Sequence, residues 1–246
     1  MDQVTAAFDA TPRRDFLPRG VRRRASYDGP LEIAAGQTNS QPRTVDDMLR
    51  LLDVRAGQRV LDVGSGSGWT TALLAHLVGP TGSVLGVELE PELVTFGSAN
   101  LARADRPWAA IRRAEPGVLG DPDGAPYDRI LVSAMADALP VALVDQLADD
   151  GVLVVPVDGT MLRVTNPGAV VTAHGRYRFV PLRRGSARPD SRASRTGRLA
   201  AASSGPRTRS SRSAAPITRS TTTWVRYVEG SSGGHTASVR ITTWRE

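Results

Sequence analysis

A glycine-rich segment and an acidic residue twenty positions beyond it are the features of this sequence with the clearest chemical meaning. The segment reads Asp62-Val63-Gly64-Ser65-Gly66-Ser67-Gly68, and the acid is Glu88. Backbone without side chains lets a ligand approach closely, and free N–H groups at the start of the following helix favour negative charge. An acid at the end of the next strand can accept hydrogen bonds from ribose hydroxyls. The pattern therefore indicates a site for an adenosine-containing ligand.

A purely structural interpretation of the same residues is the alternative. The glycines could only shape a tight turn between a strand and a helix, and Glu88 could only cap the next helix. The dinucleotide pattern G-x-G-x-x-G is not met, because the residue three positions after Gly66 is Trp69. The loop and the acid together, each following a strand, favour the ligand-binding interpretation.

Alternating strand and helix signals surround these residues. Short apolar runs predict strands at 59–63, 83–88, 109–113, 127–133 and 151–157. Helical spacing of apolar residues predicts helices at 69–78, from 91 through 101, at 141–148, and from a capping box at Thr44 and Asp47 to Gly57. Such alternation is typical of a parallel sheet covered by helices on both faces, so we predict an α/β fold.

The composition excludes several kinds of chemistry. The chain has no cysteine, which removes disulfides, thiolate nucleophiles and cysteine-based zinc sites. All 31 basic residues are arginine, and Schiff-base chemistry and a Walker-type P-loop both require lysine. The three histidines are well separated in the sequence, which argues against a histidine metal cluster. We therefore expect no metal site.

The net charge of +6 is unevenly distributed. Residues 1–182 hold 18 arginines against 22 acidic residues, a net charge of −4, whereas residues 183–246 hold 13 arginines against 3, a net charge of +10. The second segment has few apolar residues, so we predict a mostly disordered Arg/Ser-rich tail with a possible hairpin at 223–228 and 238–242. Overall basicity therefore says little about the body of the protein.

The sequence lacks the marks of a membrane or secreted protein. No run approaches the 18 apolar residues of a membrane span, and the first twenty residues carry three aspartates. We therefore expect no membrane partner and a cytoplasmic location.

The glycine loop and Glu88 resemble the corresponding features of the class I S-adenosylmethionine-dependent methyltransferases. The resemblance implies a Rossmann-like, mostly parallel sheet and S-adenosyl-L-methionine as the cofactor. It also implies that Asp62 orients the loop and that Glu88 holds the ribose. The loop residues that would flank the methionine part are Gly64, Ser65, Gly66 and Gly68. Glu115 is the candidate for the adenine contact, with a solvated loop acid as the alternative.

A longer string ahead of the loop is more specific. It reads Pro30-Leu31-Glu32-Ile33-Ala34-Ala35-Gly36-Gln37-Thr38-Asn39-Ser40-Gln41-Pro42. It is similar to the protein-L-isoaspartate O-methyltransferase signature P-L-x-I-x-x-G-Q-T-x-S-x-P. Further matches lie at 14–18, 125–130, 146–147 and 178–182, so the resemblance covers about residues 10–182.

This resemblance implies methyl esterification of the free carboxylate of L-isoaspartyl residues in damaged proteins. A carboxylate with a pKa of about 4 is already ionised at neutral pH, so the reaction needs positioning rather than a general base. By its place in the string, Ser40 would hold that carboxylate, and Gln37 and Thr38 would shape the same wall. The alternative for Ser40 is a turn at the entry of a helix.

The resemblance divides the chain into a substrate-binding segment at 1–43, a methyltransferase domain at 44–182 and the tail at 183–246. One departure is Glu115-Pro116-Gly117, where the family commonly has Gly-Asp-Gly, which puts the adenine contact in question.

Two other functions stay open at this point. The first is methylation of an aspartate in one dedicated peptide. The second is nucleic-acid binding through the arginines and the aromatic residues of the tail, although no nucleic-acid-binding motif is present and we do not expect such a partner. The sequence does not determine the oligomeric state, and a monomer is favoured.

Overall fold

The fold is organised around one large β-sheet. The computed structural model describes residues 2–183, 221–229 and 238–243. Its strands are β1 Leu31–Glu32, β2 Thr38–Asn39, β3 Arg59–Val63, β4 Ser83–Glu88, β5 Ala109–Arg113, β6 Tyr127–Val132, β7 Leu147–Val157, β8 Thr160–Thr165, β9 Val170–Arg176, β10 Thr221–Glu229 and β11 Ser238–Thr243. Its helices are α1 Gln3–Asp9, α2 Pro42–Leu52, α3 Trp69–Val78, α4 Pro91–Arg103 and α5 Val141–Val144, with single 3₁₀ turns at Arg13–Phe16, Arg22–Arg24 and Pro122–Gly124.

The order of the strands places a crevice at the centre of the sheet. Within the described residues the order is β11-β10-β9-β8-β7-β6-β3-β4-β5, and the strands from β7 to β5 are parallel. The chain runs from β3 outward to β5 and then returns to β6 on the other side of β3. Ligands of open α/β sheets bind outside the carboxyl ends of the strands at such a switch point. The predicted Rossmann-like α/β fold is confirmed.

Both faces of the sheet are covered because its central strands alternate buried side chains between two apolar clusters. In β3, Val60 belongs to the cluster that includes α1, α2 and α3, whereas Leu61 and Val63 belong to the cluster on the other face with α5. Each fully buried leucine or valine contributes about 1.5–3 kcal/mol relative to an exposed one. This double burial explains why the strands read as continuous apolar runs.

The start and end of α2 differ from the prediction. The helix begins at Pro42, and its N-cap residue Gln41 makes no side-chain capping hydrogen bond, so the predicted capping box at Thr44 is wrong. Proline at the first helical position needs no hydrogen-bonded N–H, which favours the earlier start. The helix ends at Leu52, because Asp53 takes a left-handed conformation with φ of 50°. Gly57 instead lies in the next turn.

The predicted helix at 141–148 is also shorter in the structure. Helix α5 ends at Val144, and β7 starts at Leu147, which pairs with Tyr127 of β6. The backbone N–H of Tyr127 donates to the Gln146 carbonyl at 2.9 Å, so sheet pairing takes residues that periodicity assigned to the helix. Strands β8 and β9, which run antiparallel to their predecessors, were not predicted.

The tail contributes two described strands. Strand β10 pairs antiparallel with β11, and its last three residues pair parallel with β9, from Tyr227 opposite Val171 to Glu229 opposite Ala173. The predicted disorder of the tail at 183–246 and the nucleic-acid interpretation of its arginines fall mostly on 184–220, 230–237 and 244–246, which lie outside the described residues. The predicted domain limits stay predictions. Among the described residues no helix is both long and apolar enough to span a membrane.

Candidate active site

The glycine loop joins the carboxyl end of β3 to the start of α3. The backbone N–H groups of Gly64 and Ser65 both donate to the Val87 carbonyl, at 2.9 and 3.2 Å, which ties the loop to the end of β4. Gly68 caps α3 with φ of 82°, in the left-handed region that side chains disfavour. The loop therefore keeps its shape through its own backbone bonds.

Two glycines outside the loop, which the sequence analysis did not identify, allow neighbouring elements to approach it closely. A Cβ atom on Gly86 of β4 would lie 2.9 Å from the Ser65 Cβ, and one on Gly97 of α4 would lie 2.7 Å from the Gly66 carbonyl oxygen. Only tertiary packing reveals this requirement, because Gly97 lies in an ordinary helix.

Substituting Gly97 with alanine is expected to weaken binding of the cofactor that the sequence resemblance implies by about 10-fold. Alanine favours a helix by roughly 0.8–1.0 kcal/mol over glycine, but its methyl group would displace the Gly66 carbonyl. Calorimetric titration measures the dissociation constant. Gly20→Ala is the matched control, since its Cβ would lie within 4 Å of none of the residues that the structure describes. An unchanged dissociation constant in Gly97→Ala would show that the loop does not depend on this approach.

Glu88 directs its carboxylate at the loop. The side chain is buried, and its Oε2 accepts from the Gly66 N–H at 2.9 Å. Its Oε1 accepts from the N–H groups of Leu89 and Glu90, at 2.7 and 3.0 Å. Each carboxylate oxygen can accept more than one hydrogen bond, so the group can still receive the hydroxyls of a ligand.

Asp62 lies beneath the loop and is fully buried. Its Oδ2 accepts from the Thr71 hydroxyl at 2.7 Å, whereas its Oδ1 has no hydrogen-bond partner among the described residues. Burial raises the pKa of Asp62 to about 7, the Thr71 hydrogen bond opposes this shift, and the charge of Glu88 adds to it. Ser65 is also buried, and its hydroxyl oxygen has no hydrogen-bond partner in the part of the chain that the structure describes.

A cavity opens at the carboxyl ends of β3, β4 and β6. Its lining residues come from the signature segment, the glycine loop, the ends of the strands, the segment after β5 and the chain after β9. They are Gln37, Thr38, Val63, Gly64, Gly66, Val87, Glu88, Leu89, Ala114, Val118, Leu119, Gly120, Ser133, Ala134, Val180, Pro181, Leu182 and Arg183. The predicted residues Gln37, Thr38, Gly64, Gly66 and Glu88 are thus brought together around one space.

Other predicted site residues lie outside this lining. Ser40 is half-buried two residues after Thr38, and its carbonyl oxygen accepts from Arg13 Nη2 at 2.9 Å. Asp62 is buried at the end of β3, and Ser65 and Gly68 belong to the loop, but none of the three lines the cavity. Glu115 is exposed, and the neighbouring positions Ala114 and Val118 line the cavity instead.

The chain after β9 forms a wall of the cavity, a role that the sequence did not indicate. Met135 donates its N–H to the Val180 carbonyl at 2.7 Å and accepts from the Leu182 N–H at 2.6 Å. Arg183 then pairs with Glu90 at 2.8 Å. The segment 180–183 therefore crosses from β6 toward the start of α4. The buried Arg13 was also missed, since nothing in an arginine-rich stretch marks one of its arginines as buried.

This combination of fold and site defines the class I S-adenosylmethionine-dependent methyltransferases. The loop follows the central strand, and the buried acid follows its neighbour, at the switch point of a doubly wound sheet. The model of the protein-L-isoaspartate(D-aspartate) O-methyltransferase family matches residues 1–187, so the chain belongs to that family.

Relatives and solved structures agree with this membership. The chain is 40% identical over 188 residues to a protein-L-isoaspartate O-methyltransferase of Methanopyrus kandleri, covering 74% of this chain and 83% of the relative. It is 42% identical over 182 residues to that of Methanocella arvoryzae, covering 71% of this chain and 95% of the relative. A Plasmodium falciparum beta-aspartate methyltransferase in complex with S-adenosyl-L-homocysteine aligns with a TM-score of 0.68 and 26% identity, covering 75% of this chain and 92% of that one.

Proposed function

We propose that the protein transfers a methyl group from S-adenosyl-L-methionine to the free carboxylate of L-isoaspartyl residues in damaged proteins, as the first step of their repair. Family membership and relatives of about 40% identity that carry this activity in their names support the proposal. The observation that carries it is the shared cavity. Gln37 and Thr38 of the signature face the same space as the glycine loop and Glu88.

The residues present fit the proposed cofactor. A side chain on Gly64 or Gly68 would be strained, because both residues have φ above 80°, so the loop offers bare backbone to a ligand. Gly64 and Gly66 would border the methionine part, Glu88 would accept the ribose hydroxyls, and Ala114, Val118 and Leu119 would surround the adenine. When bound, S-adenosyl-L-methionine supplies a methyl group on a positively charged sulfur.

The chain's own residues contribute positioning and exclusion of water. The substrate carboxylate arrives ionised, so no side chain has to remove a proton from it. The Ser40 hydroxyl would donate a hydrogen bond to one oxygen of that carboxylate and fix its direction of approach. Gln37 and Thr38 would border it, and the segment 180–183 would keep water out of the cavity. Such alignment can supply several kcal/mol of the activation barrier.

Methylation of an isoaspartyl peptide and of its aspartyl twin tests the proposal. The wild type is expected to transfer radioactive methyl from S-adenosyl-L-methionine to the isoaspartyl peptide and to leave the twin unmethylated. Equal or preferential labelling of the aspartyl peptide would overturn repair in favour of a dedicated peptide substrate.

Ser40→Ala is expected to lower kcat/KM for the isoaspartyl peptide by about 10- to 100-fold. A hydrogen bond to a charged group contributes about 1.5–3 kcal/mol, and the variant removes it without filling the cavity. Steady-state kinetics at saturating cofactor measure the change. Ser83→Ala, in an exposed serine at the opposite end of β4, is the matched control. A Ser40→Ala enzyme as active as this control would show that the hydroxyl does not hold the substrate.

A cytoplasmic location and a monomeric state are parts of the same proposal. Cell fractionation tests the first, and sedimentation of the full chain tests the second.

A further inference from the structure

Arg13 is a buried cation at the centre of the substrate-binding segment. The residue is 6% exposed, and its guanidinium lies 5.6 Å from the ring centre of Trp69, the first residue of α3. Burial lowers its pKa to about 10, so it keeps its charge at neutral pH. Within the described residues it has no carboxylate partner within 4.0 Å. Its hydrogen bonds go instead to the segment itself.

These hydrogen bonds join two parts of the segment that are distant in sequence. Arg13 Nη1 donates to the Tyr27 carbonyl at 2.8 Å, and Nη2 donates to the Gly29 carbonyl at 2.9 Å. Nη2 also donates to the carbonyls of Asn39 and Ser40, at 3.1 and 2.9 Å. Only a planar group with five N–H donors can serve so many acceptors at once. The backbone just before the signature and the backbone at its positions 39 and 40 are thus fixed to one side chain.

Asn39 extends this network to the glycine loop. It occupies a free position of the signature, between Thr38 and Ser40, and its side chain is buried. Its Oδ1 accepts from Arg13 Nε at 2.6 Å, and its Nδ2 donates to the Ser67 hydroxyl at 2.9 Å. Ser67 is itself buried, and its carbonyl accepts from Asn100 Nδ2 of α4 at 2.8 Å.

We propose that the Arg13–Asn39–Ser67 chain of hydrogen bonds is a positioning device that sets the substrate wall at Ser40 against the cofactor loop. The inference rests on the proposed function, because it assigns the two sides of the device to substrate and cofactor. In-line methyl transfer requires both partners at a fixed separation, and a displacement of about 1 Å can lower the rate by about 100-fold. Asn39 is the link that joins the two sides.

Two variants break the link at different points. Asn39→Leu has a similar volume but neither accepts from Arg13 nor donates to Ser67, and Ser67→Ala removes only the contact at the loop. Both are expected to lower kcat/KM for an isoaspartyl peptide by about 10-fold or more. The dissociation constant of S-adenosyl-L-homocysteine should stay within about 3-fold, because the loop keeps its bonds to Val87 and Glu88.

Asn39→Asp is the rescue variant. Its carboxylate can accept both from Arg13 Nε and from the Ser67 hydroxyl, so it should restore kcat/KM to within about 3-fold of the wild type. A structural role alone would not produce a loss confined to the peptide and repaired by one isosteric change.

Arg129→Lys is the matched control for general destabilisation. Arg129 is about as buried as Arg13 and also donates to backbone carbonyls, those of Asp53 and Asp128. It lies near the start of β6, at the end of the strand away from the cavity. The Arg129→Lys substitution should lower the melting temperature without changing the KM for the isoaspartyl peptide. The inference is overturned if Asn39→Leu leaves peptide kinetics unchanged. It is also overturned if that variant loses peptide and cofactor affinity equally, in step with its melting temperature.

Hydrogen exchange at 25–41 separates failure of this inference from failure of the proposed function. Backbone amides in that range should exchange faster in Asn39→Leu than in the wild type and return to wild-type rates in Asn39→Asp. This readout needs no activity, so it applies even if the wild type fails to methylate isoaspartyl peptides and the proposed function falls. Unchanged exchange in Asn39→Leu would overturn the positioning device.

Discussion

Glu88→Gln is expected to weaken binding of S-adenosyl-L-homocysteine by at least about 100-fold. The Glu88 carboxylate accepts from three backbone N–H groups, of Gly66, Leu89 and Glu90, and would also receive the ribose hydroxyls. Glutamine has one acceptor oxygen, so its amide NH₂ would face at least one backbone N–H donor. Each lost hydrogen bond to a charged group accounts for about 1.5–3 kcal/mol. Calorimetric titration of the purified variant measures the change.

Glu92→Gln is the matched control for this experiment. Glu92 lies exposed in the first turn of α4, four residues from Glu88, and contributes nothing to the cavity. Its substitution should change the dissociation constant by less than about 2-fold, since an exposed charge at a helix start contributes only about 0.3–1 kcal/mol. A Glu88→Gln protein that binds within 5-fold of this control would contradict the assignment of Glu88 to the ribose.

Asp62 is expected to make the free energy of unfolding fall as pH rises from about 4 to about 7. Burial raises the pKa of Asp62 from 3.8 to about 7 in the folded state, so the folded protein binds the proton more tightly than the unfolded chain does. Below pH 3.8 the group is protonated in both states and has no linkage effect. Above pH 7 it is ionised in both, and the full penalty, on the order of 4 kcal/mol, opposes folding.

Asp62→Asn removes this contribution, because asparagine does not ionise but can still accept from Thr71. Denaturant unfolding between pH 5 and pH 8 should show that Asp62→Asn becomes more stable relative to the wild type as pH rises. Asp149→Asn, in an exposed acid of β7, should reproduce the pH dependence of the wild type. A constant difference between wild type and Asp62→Asn across this range would show that Asp62 does not titrate there.

The local pattern of the sequence was sufficient for much of the fold. Strands β3, β4 and β5 and helix α3 begin and end at the predicted residues. Buried apolar runs mark β3 and β4, whereas β5 is a short, partly exposed strand with two arginines at its end. The signature and the glycine loop likewise predicted which segments border the cavity. Sheet pairing at Leu147 and the left-handed Asp53 overrode helix periodicity where the prediction was wrong.

The parts of the site that sequence reasoning missed depend on distance in three dimensions. Gly97 matters because α4 passes the Gly66 carbonyl, and no pattern within the helix records that approach. Arg13 belongs to a stretch rich in arginine. Only the folded backbone at 25–29 and 39–40 brings several carbonyl groups within hydrogen-bond distance of its guanidinium. Burial of a polar residue is a property of its neighbours, so composition and spacing could not assign it.

The parallel pairing of β10 with β9 bears on how the basic tail can be studied. Strand β9 follows β8 in the sheet, and β10 covers part of its outer edge from Val171 to Ala173. A chain cut after residue 183 would leave that row of N–H and C=O groups open beside the exposed Val170. Bare edges of this kind recruit strands from other molecules and promote aggregation. Loss of activity on truncation could therefore result from self-association as readily as from loss of a catalytic role. Charge-altering substitutions at 184–220 keep β10 in the chain and so leave the edge of β9 covered.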